Sequence, residues 1–166
     1  MSVTSVDTDY DNLTTTLVAE FDAPIDEVWQ LWADPRKLER WWGPPTYPST
    51  FERHDLAPGG EVSYYMTGPE GDQPRGWWRV TSVEPPTSLQ FTDGFANADG
   101  TPNEELPVIN VDVRLSERDG GGTRMEIRST YESREELDKL IAMGAVEGLQ
   151  QSVGQMDALL AGSGSS

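Results

Sequence analysis

Between residues 50 and 131 the chain divides into six short runs rich in β-branched and aromatic residues, each closed by turn formers. TFERHDL ends at Pro58-Gly59-Gly60, EVSYYMT at Gly68-Pro69-Glu70-Gly71, GWWRVTSV at Pro85-Pro86, and SLQFTDGF in the polar stretch 97–107. VINVDVRL and TRMEIRSTY flank Asp119-Gly120-Gly121-Gly122, a strong hairpin signal. Links this short favour an antiparallel meander, because a parallel crossover needs about a dozen residues or more. No other feature restricts the fold as severely.

What precedes and follows the meander narrows it further. Leu13, Thr15, Leu17, Ala19 and Phe21 alternate with polar residues and predict one more, half-buried strand. IDEVWQLWADP then places Ile25, Val28, Leu31 and Trp32 on one helical face. A second short helix is expected over PRKLERWW, with Pro35 in its first turn and Gly43-Pro44 ending it. At the far end, Ser133 and Glu136 fit a capping box. Leu137, Leu140, Ile141, Met156, Leu159 and Leu160 predict one long helix of about seven turns. The fold class is therefore α+β: about six to seven antiparallel strands, two short helices after the first strand, and a long C-terminal α-helix.

The chain of 166 residues suits one domain, placed at 11–161. Residues 1–10 are polar and read as frayed, and the Gly/Ser stretch 162–166 reads as a flexible tail, whether native or not. A formal net charge of −17 opposes phosphate backbones and anionic lipid surfaces, which argues against nucleic acid and membrane as partners. No cysteine is present, so thiolate chemistry and cysteine-ligated metals are excluded. The start of the chain lacks a basic and then apolar leader, and the expected location is the cytoplasm.

The stripe of the last helix changes character halfway. Between Ile141 and Met156 its inward face offers Gly144, Ala145, Gly148 and Ser152. A mid-helix glycine costs roughly 1 kcal/mol relative to alanine, so something should offset it. Two readings stand: close packing of helix on sheet, or a cavity.

Catalytic constellations are scarce. The single histidine, His54, neighbours Asp55 on a strand, where adjacent side chains point to opposite faces. DTDYDN begins like a calcium loop, but Asn12 stands where the loop needs glycine and Val18 where it needs glutamate. No cofactor or metal is implied, and the balance is against an enzyme. Arg53 and Asp55 share a face with Phe51, either as an internal salt bridge or as a polar anchor for a ligand. Glu84 and Asp93, near strand ends, read as solvated carboxylates.

FDAPIDEVWQLWADPRKLERWWGP, DLAPGG, GPEG, VEPPTSLQFT, GGTRMEI and MGAVEGLQQSVGQMDALL together resemble the START-like (SRPBCC) superfamily. Within it they are most similar to bacterial homologues of the activator of heat-shock protein 90 ATPase. The resemblance implies the helix-grip fold, a curved antiparallel sheet wrapped around the C-terminal helix with a ligand cavity between. It also implies a range of activities: hydrophobic-ligand binding, polyketide cyclisation and chaperone activation.

The leading expectation is a protein that binds a hydrophobic or aromatic small molecule between sheet and helix. The expected contacts are Trp41, Trp42, Arg53, Tyr64, Met66, Trp78, Phe91, Val111, Val113, Met143, Gly144 and Gly148. Of the paired tryptophans, one packs near Trp32 and the other overhangs the cavity entrance. Trp41, three residues after Leu38, is expected to be the inward ring. The alternatives are a module that stimulates the heat-shock protein 90 ATPase, and a cyclase- or hydrolase-like enzyme using the same cavity. A monomer and a homodimer are both compatible with the sequence.

Overall fold

The computed structural model describes residues 3–164. Eight antiparallel strands form one sheet: β1 (Val3–Asp9), β2 (Thr14–Phe21), β3 (Ser49–His54), β4 (Glu61–Met66), β5 (Arg75–Glu84), β6 (Ser88–Ala96), β7 (Ile109–Glu117) and β8 (Thr123–Thr130). Their order across the sheet is β1-β2-β8-β7-β6-β5-β4-β3. The predicted meander therefore runs unbroken from β3 to β8 and returns to pair with β2.

The extra strand is β1, in the stretch expected to fray. It pairs with β2 from Val3↔Ala19 to Asp9↔Thr14. Its turn is closed by the Asp9 carboxylate, which accepts from the backbone N–H groups of Asp11 (3.0 Å) and Asn12 (3.1 Å). The acidic DTDYDN segment is thus an end of a hairpin, where Asp and Asn supply a local turn. Met1 and Ser2 lie outside the described residues.

Between β2 and β3, α1 (Ile25–Ala33) and α2 (Pro35–Leu38) carry the chain to the opposite edge of the sheet. Asp34 caps α2 by accepting from the Arg36 N–H at 2.9 Å. α2 stops at Leu38, so the helix expected to reach Trp42 is only four residues long.

The C-terminal helix is not continuous either. It comprises α3 (Arg134–Ala142), α4 (Ala145–Gly154) and α5 (Met156–Gly164). Ser133 caps α3 on the Glu136 N–H at 3.1 Å. The first break lies at Gly144, whose φ of +85° is left-handed and open chiefly to glycine. The Gly/Ser tail expected from residue 162 overlaps the end of α5, and Ser165 and Ser166 lie outside the described residues.

The inward face of the sheet has two halves. Ala19 and Phe21 of β2, Leu89 and Phe91 of β6, Val113 and Leu115 of β7 and Met125 of β8 are buried in the main core with Trp32 of α1 and Met156. Rings dominate there. Trp32 meets Trp41 edge-on with centroids 4.6 Å apart, and Trp78 stacks on Phe91 at 4.0 Å. The other half of the same strands faces α4.

Candidate functional site: a cavity beneath the fourth helix

Moving along β2, β8 and β6 away from the aromatic core, polar residues enter the inward face. β2 passes from Phe21 and Ala19 to Leu17 and Thr15, β8 from Met125 through Ile127 to Ser129, and β6 from Leu89 and Phe91 to Asp93 and Phe95. α4 covers this end with Val146, Gly148, Leu149 and Ser152. These side chains do not fill the gap, and a cavity of about 330 Å³ remains. A Cβ added to Gly148 would meet no atom within 4 Å. Close packing therefore does not account for this glycine.

The cavity is bounded at one end by the segment Trp42–Pro44. α4 pins that segment: Ser152 Oγ accepts from the Gly43 N–H at 3.1 Å, and Gln155 Nε2 donates to the Gly43 carbonyl at 2.7 Å. Gly43 itself has φ of +107°, and a Cβ there would overlap the Tyr47 carbonyl oxygen. Met143 lines the cavity while remaining 53% exposed, which places it at the mouth.

Trp41 is the inward ring, packed on Trp32, and it is not the cavity contact it was also expected to be. Trp42 borders the cavity, and Trp41 is fully buried away from it, its indole N–H donating to the Leu31 carbonyl at 2.8 Å. Although α2 ends at Leu38, helical turns continue past it, the Trp41 and Trp42 N–H groups both donating to the Leu38 carbonyl at 3.2 and 2.9 Å, and Leu38 and Trp41 are both fully buried. Trp78, Phe91 and Val113 are likewise in the core rather than on the cavity wall. Tyr64, Met66, Val111, Met143, Gly144 and Gly148 line it.

Arg53 does not face inward at all. A bulge between Phe51 and Arg53 shifts the register and turns Arg53 to the surface, where it pairs with Glu61 at 2.8 Å. Asp55 is exposed. Neither the internal salt bridge nor the polar anchor is formed. His54 is half-buried, with Nε2 3.1 Å from the Trp32 carbonyl oxygen.

The polar feature of the cavity is instead Asp93, which is not the solvated carboxylate its place in the sequence implied. On β6 it shares the inward side with Phe91, and its Oδ1 accepts from the Tyr64 hydroxyl at 3.0 Å. Tyr64 reaches it from β4 by crossing β5 above Gly76, where any Cβ would overlap the tyrosine ring. Burial raises the Asp93 carboxyl to about 7, against the opposing effect of the Tyr64 hydrogen bond. Burial, then the charge of Asp93, pushes the Tyr64 hydroxyl well above its ordinary value. Tyr131, whose hydroxyl lies 3.2 Å from Thr15 Oγ1, is raised by burial as well. The alternation Leu89, Phe91, Asp93, Phe95 carried the signal for Asp93, since period-2 spacing puts all four on one face.

Among the described residues no group of three or more His, Cys, Asp and Glu side chains is placed to hold a metal ion. No described helix is long and apolar enough to cross a membrane.

A single antiparallel sheet gripping C-terminal helices, with a mainly apolar cavity between them, defines a helix-grip protein of the START-like class. The family model described as "Activator of Hsp90 ATPase homolog 1-like protein" matches residues 22–161, and the chain belongs to that family. It is similar to the crystal structure of Ms6760 from Mycobacterium smegmatis at 49% identity, covering 95% of this chain and 96% of that one (TM-score 0.88). A solution structure of a protein from Arthrobacter aurescens is also 49% identical, with 96% and 92% covered (TM-score 0.92). The AHSA1 protein from Silicibacter pomeroyi is 25% identical over 89% of this chain and 97% of its own (TM-score 0.72). Among curated proteins none matches the chain.

Proposed function

We propose that this protein binds a hydrophobic or aromatic small molecule in the cavity between the sheet and α4. One observation carries the reading: the space beside Gly148 is bounded by Leu17, Val111, Ile127 and Leu149 but filled by none of them. Pockets that enclose small molecules combine such apolar walls with a few polar groups that fix orientation. Thr15, Ser129, Tyr64, Tyr131 and Asp93 supply those groups here. Trp42, held over one end by the Gly43–Ser152 and Gly43–Gln155 contacts, contributes an aromatic wall.

The test is titration with N-phenyl-1-naphthylamine, an apolar fluorophore that is uncharged at neutral pH. Saturable one-to-one binding is expected in the unaltered protein and its loss in Gly148→Phe, whose ring would occupy the cavity. Thermal unfolding of the variant should stay close to that of the parent. Equal binding by both proteins would remove the cavity from consideration. The family description supports a second reading, stimulation of a heat-shock protein 90 ATPase. That reading requires a rate increase that saturates with added protein and survives Gly148→Phe.

A further inference from the structure

The cavity wall has a charge imbalance. Among its described lining residues Asp93 is the one side chain that can carry a formal charge near neutral pH, and no Lys, Arg or His accompanies it. The titratable groups that share the wall with it are Tyr64 from β4 and Tyr131 just after β8. β1, β2 and β7 contribute Val6, Thr15, Leu17, Ile109 and Val111, and α4 contributes no ionisable group. One hydroxyl donates to Asp93, from Tyr64, which leaves further acceptor positions on the carboxylate. A half-buried carboxylate facing a mainly apolar cavity without a cation is costly to ionise, and an ionised one attracts a cation more strongly than it would in open water.

Resting on the reading of the cavity as a ligand site, we propose that its ligand is an organic amine. Its apolar, preferably aromatic body lies along Val111, Ile127 and Leu149, and its ammonium donates to the Asp93 carboxylate beside Tyr64. Three features agree on this sign of charge. The carboxylate stands at the inner, sheet side of an otherwise uncharged wall. Rings of Trp42, Tyr64, Phe95 and Tyr131 line the same space and can face a cation. The whole chain, at −17, concentrates cations around itself and repels anions.

Proton linkage follows from the raised carboxyl of Asp93. With its carboxyl raised to about 7, Asp93 is largely protonated below that pH and charged above it. An ammonium favours the charged form, so amine binding near pH 7 should release a proton, and amine affinity should fall as the pH drops below 7. A neutral ligand of the same shape should show neither effect.

The experiment is isothermal titration calorimetry at pH 8 with 2-(1-naphthyl)ethylamine, 2-(1-naphthyl)ethanol and 1-naphthylacetate. The amine is expected to bind about tenfold or more tightly than the alcohol, the difference between a charge-assisted and a neutral hydrogen bond. The carboxylate should bind most weakly. Asp93→Asn should abolish the preference for the amine over the alcohol. The preference should persist in 0.5 M salt, where attraction by the acidic surface is screened.

Alcohol binding equal to or tighter than the amine, an amine preference retained in Asp93→Asn, or one that vanishes in salt would each overturn the amine assignment while leaving the apolar cavity reading intact. Binding of none of the three would overturn both.

Discussion

Two halves of one sheet face behave differently here, although the same strands build them. At one half, Trp32, Trp41, Trp78 and Phe91 interlock with centroid distances of 4.0–6.3 Å and almost no exposure. At the other, Thr15, Ser129, Gly148 and Asp93 leave a space of about 330 Å³. Backbone pairing continues through both: β2 and β8 pair from Thr14↔Thr130 to Phe21↔Thr123 without interruption. Side-chain size thus decides where the fold is solid and where it is hollow. The aromatic half supplies the apolar burial that lets the other half remain open.

The largest expected effect lies on the solid side. Trp32→Ala removes a fully buried ring in contact with four other aromatic side chains, and should lower the unfolding free energy by about 3–5 kcal/mol in urea denaturation. A loss no larger than that of a cavity substitution would erase the distinction between the halves.

Gly76→Ala probes the seam between them. Its added methyl collides with the Tyr64 ring, and overpacking of this kind should cost about 1–3 kcal/mol. It should also break the Tyr64–Asp93 hydrogen bond, so the apparent Asp93 pKa, read from carboxyl carbon NMR shifts, should rise further. An unchanged titration would mean that Tyr64 does not hold Asp93.

A smaller, pH-dependent effect belongs to the hollow side. The folded protein holds a proton on Asp93 up to about pH 7, whereas the unfolded chain releases it near 4. Between those limits the folded state binds more protons, so this residue's contribution to stability is complete below about pH 4 and is lost as the pH rises through 7. Urea denaturation across pH 4–8 should therefore show a smaller decline in Asp93→Asn than in the parent. Parallel curves would contradict a protonated Asp93 in the folded state.

Much of the solid half was legible in the sequence. Turn formers mark the strands, Ser133 and Glu136 mark the start of α3, and Val28, Leu31 and Trp32 mark the buried face of α1. The hollow half was legible only in outline, through Gly144, Gly148 and Ser152. Its details depend on local departures from regular spacing. Trp41, counted with Trp42 among the expected cavity contacts, is buried beside Trp32 and away from the cavity. A bulge after Phe51 turns Arg53 outward. The left-handed Gly144 divides a stripe that read as one helix. Asp93 shows the opposite failure: its spacing was regular, but its position near a strand end suggested solvent, and only the crossing of Tyr64 over Gly76 explains its place.

The division of the sheet into a packed and a ligand-accepting half is tested most directly by NMR titration of the labelled protein with N-phenyl-1-naphthylamine. Saturating shifts should concentrate at Thr15, Val111, Ser129, Gly148 and Trp42, with Leu89, Val113 and Met125 little changed. Shifts centred on the aromatic core or scattered over the outer surface, with the residues beside Gly148 unmoved, would contradict the account.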